Sequence, residues 1–231
     1  YLSDDVWVEN ESYRAFTKDG GCVYRLPEAK EALEFYKRVY EDISPKDSVS
    51  WGFTEMVQGF MSGTCAILIQ DNDVIATIED GLDPELWGVG NIPIGTSGFG
   101  TQTAGYGGWA MTAKTQYPEE TAKFIKFLSN AENNGYFCRQ NGLIPIHTTS
   151  IEQDEYFSSG AYTIFNKMND LGCYRIFNNL GIGYDITATF NNDRDEYLQK
   201  YLLGEVDADT LLDYWASQWE KAVADQGKLW E

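Results

Sequence analysis

The sequence predicts an α/β chain in which helices cover a mixed sheet. Three observations carry that reading. Amphipathic helical runs alternate with short apolar segments of strand length. One of these segments, residues 65–69, ends in Gln70-Asp71-Asn72-Asp73, four side chains that can all hydrogen-bond; open α/β sheets hold their ligands at strand ends of this kind. A stretch from Gly95 to Gly108, rich in glycine, serine and threonine, reads as a loop or a crossing between two groups of elements.

The elements follow in order. Residues 1–26 are mixed, with a turn at Lys18-Asp19-Gly20-Gly21. Pro27 opens a helix at a favoured first-turn position. Ala29, Ala32, Leu33, Tyr36 and Val39 recur at helical spacing, with Glu28, Lys30, Glu31, Glu34 and Lys37 on the other face. This helix ends near Asp42-Ile43, ahead of Pro45. A second helix is expected over 53–61, stopped at Ser62-Gly63, then a strand over 65–69 and a helix over 73–80. Residues 86–94 read as a strand ending near Pro93, and 109–113 as another. Pro118-Glu119-Glu120 starts a helix with acidic residues where the helix dipole favours them, and Ala122, Phe124, Ile125 and Leu128 are its expected buried face. Asn141-Gly142 closes a further helical piece, and 143–147 leaves it extended. Residues 151–170 read as helical and 178–192 as loop. Asp207 is the expected cap of a last helix whose apolar stripe is Leu211, Leu212, Trp215, Trp219 and Val223.

Composition narrows the function. The 231 residues carry a net charge of −19, which argues against nucleic acid and against anionic membrane surfaces as partners. No apolar run approaches the ~20 residues of a membrane-spanning helix. The four cysteines, Cys22, Cys65, Cys138 and Cys173, form no C-x-x-C pair, so neither a zinc nor a redox site is expected. Cys65 is expected to be a buried small hydrophobe within its strand. His147 is the only histidine, which leaves no His-based triad or multi-histidine metal site, and its expected role is structural or solvent-facing. No cofactor is expected. The chain begins Tyr1-Leu2-Ser3-Asp4-Asp5, which reads as the start of a fragment in mid-domain.

The order of these elements resembles the sugar-binding, maltose-binding-protein-like family of bacterial extracellular solute-binding proteins that serve ABC importers. The resemblance lies in the Pro27 helix, the approach through Trp51, and the turn Phe60-Met61-Ser62-Gly63. The segment up to Asp73, the glycine crossing with Gly107-Gly108-Trp109, the helix spanning Glu119 to Phe124, and the exit Gly142-Leu143-Ile144-Pro145-Ile146-His147 continue it. It implies a periplasmic-binding-protein-like type II fold, mainly the C-terminal lobe, with a segment returning to the N-terminal lobe. Residues 1–102 would be the first part of the second lobe, 103–149 the return to the first lobe, and 150–231 the second part of the second lobe, with the N-terminal part of the family's fold missing. It further implies a carbohydrate ligand in an inter-lobe cleft, permease subunits as partners, and a periplasmic or cell-surface lipoprotein location.

The candidate ligand-binding residues are Asp71, Asn72, Asp73, Tyr106, Gly107, Gly108, Trp109, Tyr184 and Trp51. Carboxylates and amides at 71–73 can accept from paired sugar hydroxyls, or cap the following helix. The family's maltose-binding members carry an aromatic where Asp73 falls. Glycines at 107 and 108 let backbone N–H groups approach a ligand. Trp109 either stacks on a sugar ring or fills a strand core. Tyr106 lies on the crossing itself. Tyr184 lies in Gly181-Ile182-Gly183-Tyr184-Asp185, where the family often places an aromatic contact. Trp51 is a weaker candidate and more often a core residue. The alternative function is a glycoside hydrolase working through paired carboxylates, although no Asp or Glu falls in a recognisable catalytic pattern.

Overall fold

The computed structural model describes residues 21–93, 102–104, 107–171, 174–176 and 184–226. In chain order these form α1 (Pro27–Ile43), α2 (Phe53–Met61), α3 (Ile75–Gly81), β1 (Gln102–Ala104), α4 (Pro118–Leu128) and α5 (Ala131–Gln140). Then come α6 (Thr148–Gln153), α7 (Glu155–Ser158), α8 (Tyr162–Leu171), β2 (Tyr174–Ile176), α9 (Tyr184–Leu202) and α10 (Ala208–Gln226). The described chain is mostly helical, and its one sheet pairs β1 with β2. The helices starting at Pro27, Phe53 and Pro118 lie where periodicity places them.

The expected strands differ. Residues 65–69, 109–113 and the described part of the expected strand 86–94 carry no ladder; Leu86 closes a 3₁₀ turn, Pro84–Leu86, and the rest is extended or irregular. A strand is held by hydrogen bonds to a neighbour, and among the described residues none runs alongside them. Ile67 and Ile69 accordingly stay exposed, and Cys65 is half-buried rather than core. The reading of 151–170 as one helical stretch is refined: the region is helical but cut into the end of α6, α7 and nearly all of α8. Asp154 stops α6 and caps α7 by accepting from the Tyr156 N–H at 3.0 Å. Gly160, at φ 52°, supplies the left-handed turn before α8. Residues 184–192, expected as loop, begin α9; residues 178–183 lie outside the described set.

The chain divides into two compact units. The first collects residues 1–56, 93–104 and 175–231, the second 57–92 and 105–174. The core of the first is built on α10. Leu211, Leu212, Trp215, Ala216 and Trp219 are buried at helical spacing and pack with Leu33 of α1, Tyr201 and Leu202 of α9, and Cys22. Tyr24 meets Trp215 edge-on at 5.5 Å between ring centres. Val223 belongs to the predicted stripe, but its side chain lies outside the described set. The link from α9 to α10 turns at Gly204, φ 79°, and Asp207 Oδ1 accepts from the Thr210 N–H at 2.7 Å, so the cap falls where the sequence places it. Of the expected apolar face of α1, only Leu33 is buried; Tyr36 is half exposed.

Two clusters fill the second unit. Val57, Val74 and Ile78 form one; Ile75, Cys138, Phe157 and Tyr162 form the other, and Trp87 packs against both. His147 is structural: its Nε2–H donates to the Ser129 carbonyl at 2.7 Å. The buried face expected of α4 is not closed, since Phe124 and Phe127 are exposed and stack on each other, 6.5 Å apart.

Leu211 is fully buried at the centre of the first core, whereas Leu203 is exposed. Leu211→Ala is expected to destabilise the protein by about 2–5 kcal/mol through lost burial and a residual cavity, and Leu203→Ala by less than about 0.5 kcal/mol. Denaturant unfolding followed by tryptophan fluorescence reads both.

Candidate functional site

The loop at 70–74 is fixed from beneath. The chain leaves α2 through Gly63, φ 75°, and the Cys65 N–H donates to the Gly59 carbonyl at 3.0 Å. After the extended run, Gln70 Oε1 accepts from the Asp71 N–H at 2.8 Å. A 3₁₀ turn, Asn72–Val74, leads into α3. Val74, Ile75 and Ile78 are buried and anchor this turn. Asn72 ties it sideways: its Nδ2 donates to the Gly142 carbonyl at 2.6 Å.

Gly142 is required there. Its φ of 67° lies in the left-handed region that side-chain-bearing residues rarely adopt. A β-carbon at this position would stand 2.9 Å from the Asn72 carbonyl oxygen and 3.1 Å from that of Asp73. The turn after α5 therefore lies directly against the backbone of the candidate loop. Asn141 and Leu143 both donate backbone N–H groups to the Cys138 carbonyl, at 3.2 and 2.9 Å, which locks the turn to the end of α5.

The polar ends of the loop face out. Asp71 and Asp73 are exposed while Asn72 is half-buried. Asp71 occupies the cap position of the 3₁₀ turn without a side-chain capping bond, so its carboxylate is not spent on the helix. Partial desolvation pushes the Asp73 carboxyl above its ordinary value of 3.8, with the Asp71 carboxylate adding to it; the N–H groups of Asp73 and Val74 pull the other way.

Gly107, Gly108 and Trp109 are exposed. A β-carbon added at either glycine would meet nothing within 4 Å, so this side of the backbone at 107–108 is open. Trp109 does not sit in a strand core. It is half exposed, and the edge contact with Phe137 of α5 is 5.7 Å between ring centres at 67°. Phe137 and Gly142 both belong to the C-terminal end of α5 and its turn. One local structure therefore carries the indole and pins the acidic loop.

The remaining candidates fall elsewhere. Tyr106 lies outside the described residues. Tyr184 is the first residue of α9. Trp51 follows the 3₁₀ turn Lys46–Ser50 in the first unit and lines a cleft of about 310 Å³ there. Among the described residues, no cluster of three or more His, Cys, Asp or Glu is placed to hold a metal ion. The bond from Asn72, itself a sequence candidate, to Gly142 and the contact of Phe137 with Trp109 are supports of the candidate loop that sequence reasoning missed. Asn141-Gly142 gives a turn signal, but nothing in the sequence couples it to a residue 70 positions earlier.

Residues 4–163 match the family model described as bacterial extracellular solute-binding protein. No curated protein matches the chain. Among solved structures, the fold is similar to two crystal structures of "a putative oligosaccharide periplasmic-binding protein" from Synechococcus sp. MITs9220, one of them in complex with zinc. The zinc-bound structure is 16% identical with a TM-score of 0.67, and the other is 17% identical with the same score. Each alignment covers 97% of this chain but only 60% and 61% of the respective neighbour, so the chain spans about three-fifths of their length.

Two outcomes follow from the loop's construction. Gly142→Ala is expected to destabilise the protein by more than about 2 kcal/mol, through the left-handed backbone and the contact with Asn72, and to raise amide exchange at 72–76. Unchanged exchange there would show that the turn does not brace the loop. The second outcome concerns charge. A raised native pKa for Asp73 means that its ionisation opposes folding: the stability it contributes is complete below the unfolded value near 3.8 and is lost as pH rises through the native value. Asp73→Asn should therefore melt higher than the parent at pH 7, and the difference should vanish at pH 3. Thermal melts across that range check it.

Proposed function

This chain belongs to the bacterial extracellular solute-binding proteins, and on that premise we propose that it binds a neutral carbohydrate, mono- or oligosaccharide, in a cleft between two lobes. Delivery to the permease of an ABC importer completes the role. The family acts outside the cytoplasmic membrane, so the protein is periplasmic or extracellular. Anchoring as a cell-surface lipoprotein is part of the proposal. No described helix is long and apolar enough to cross a membrane, and insertion by this chain forms no part of the role.

The observation that carries the proposal is Trp109: a half-exposed indole held edge-on by Phe137, on the same α5 end that braces Asp71 and Asp73. Exposed aromatic faces stack on the C–H face of a pyranose. Covering ~100 Å² of that face would contribute about 2.5 kcal/mol. Carboxylates accept from sugar hydroxyls in charge-assisted hydrogen bonds of roughly 1.5–3 kcal/mol each. They repel an anionic ligand, which makes a neutral sugar the better fit. Asn72 serves as a brace in this reading as well as a loop member, and Gly107 and Gly108 give the ligand room beside Trp109. Tyr106, Tyr184 and Trp51 complete the proposed contact set.

We assign residues 1–102 and 150–231 to the second lobe of a type II fold, and 103–149 to the return into the first. Binding without turnover distinguishes this role from a hydrolase built on paired carboxylates.

Trp109→Ala and Asp73→Ala are each expected to weaken sugar binding at least tenfold, about 1.4 kcal/mol, while the circular dichroism spectrum is kept. Calorimetric titration with mono- and oligosaccharides measures this, with aryl-glycoside turnover as a parallel assay. Parent-like affinity in both variants, preference for a phosphate or carboxylate ligand, or measurable hydrolysis would each contradict the proposal.

A further inference from the structure

The cleft beside Trp51 is built entirely from the first unit, between α1, the turn after it and α9. Its volume of about 310 Å³ is at the lower end of small-molecule sites. Val39, Val49, Leu198 and Leu202 form an apolar floor; Tyr36, Tyr40 and Trp51 supply rings around it. Tyr36 is half exposed and Trp51 half-buried, so both rings have surface to offer.

The polar lining is neutral in effect. Asp195 is the one charged side chain in the wall, and it is already paired with Arg194 at 2.8 Å. Lys46 lies over the Tyr40 ring, 5.3 Å from its centre, and donates to the carbonyls of Tyr40 and Glu41. A cationic ligand finds its aromatic face on Tyr40 already covered by an ammonium and its carboxylate already matched by a guanidinium. An anionic ligand finds no cation in the wall. What remains is a mixed donor–acceptor set: the Gln199 amide offers both functions, and the hydroxyls of Ser44 and Ser48 stand with it. Ser44 Oγ spends its proton on the Val39 carbonyl at 3.0 Å and keeps its lone pairs for a donor.

A ring face beside an apolar floor, with neutral groups able both to give and to accept, matches one kind of small molecule: a ring with an apolar C–H face and hydroxyls at its rim. We propose that this cleft seats a single neutral pyranose unit, stacked on Trp51 or Tyr36 and hydrogen-bonded by Gln199 and Ser48. The assignment rests on the carbohydrate-binding reading given above and adds to it a ring-sized subsite inside the first unit. An open-chain polyol carries the same hydroxyls without the ring face and should not be held.

The test is calorimetric titration of the full chain with the methyl α- and β-glycosides of glucose and galactose, and with maltose, using sorbitol as the open-chain control and choline as the cationic one. Saturable binding of at least one glycoside or maltose is expected, with no binding of sorbitol or choline. Gln199→Ala and Trp51→Ala should each weaken that binding at least tenfold, and Trp51→Phe should retain most of it. Gln199 is exposed on α9, so its truncation leaves the fold intact and decides the matter alone if Trp51→Ala does not fold. Should the parent bind a sugar that Gln199→Ala binds equally well, the cleft assignment is wrong while the carbohydrate reading stands. Tighter binding of choline or of sorbitol than of any glycoside also overturns it. Should the parent bind none of the sugars, the carbohydrate reading itself fails.

Discussion

The absence of a side chain at Gly142 is the constraint on which the candidate site of the second unit depends. Because no β-carbon is present, the turn after α5 can lie within van der Waals reach of the Asn72 and Asp73 carbonyls. Because the turn lies there, the Asn72 amide can close on the Gly142 carbonyl at 2.6 Å. With its centre held by this bond and its exit by the buried Val74 and Ile75, the loop presents Asp71 and Asp73 outward with little freedom. The same end of α5 carries Phe137 against the Trp109 indole. Stacking surface and hydrogen-bond acceptors thus share one support, and preorganised groups bind with less ordering cost than mobile ones.

The two units are stabilised differently. The first closes around α10, whose tryptophans and leucines are buried against α1 and α9. The second is more open: Phe124, Phe127, Tyr136 and Phe137 keep much of their ring surface exposed, and residues 65–69 have the composition of a strand without a paired neighbour among the described residues. Those features accompany a chain that spans about three-fifths of its structural neighbours. Large apolar exposure of this kind marks surfaces built to be covered or to bind.

Helices were the legible part of the fold, because their signals are local. Pro27 and Pro118 at first-turn positions, the Asp207 cap and the α10 stripe all act within one or two turns of chain. Strands were less legible, since 65–69, 86–94 and 109–113 look like strands by composition but become strands only through a partner that composition does not name. The break of 151–170 was readable in hindsight at Asp154 and Gly160, yet helical spacing in Phe157, Ala161 and Phe165 masks it. At the site, residue types pointed to Asp71 and Asp73 in a polar loop and to Trp109 at the head of an expected strand, and all three are exposed. The brace between Asn72 and Gly142 could not be read, because a contact across 70 residues leaves no periodic trace.

Indole-resolved NMR of the full chain tests the central claim most directly. The seven tryptophans give separable N–H signals, and Trp109→Phe assigns the one that matters. Titration with an oligosaccharide that gives a calorimetric signal should move the Trp109 resonance saturably, with the same dissociation constant as the heat. A sugar whose calorimetric binding survives Trp51→Ala and Gln199→Ala while the Trp109 signal stays in place would contradict the account.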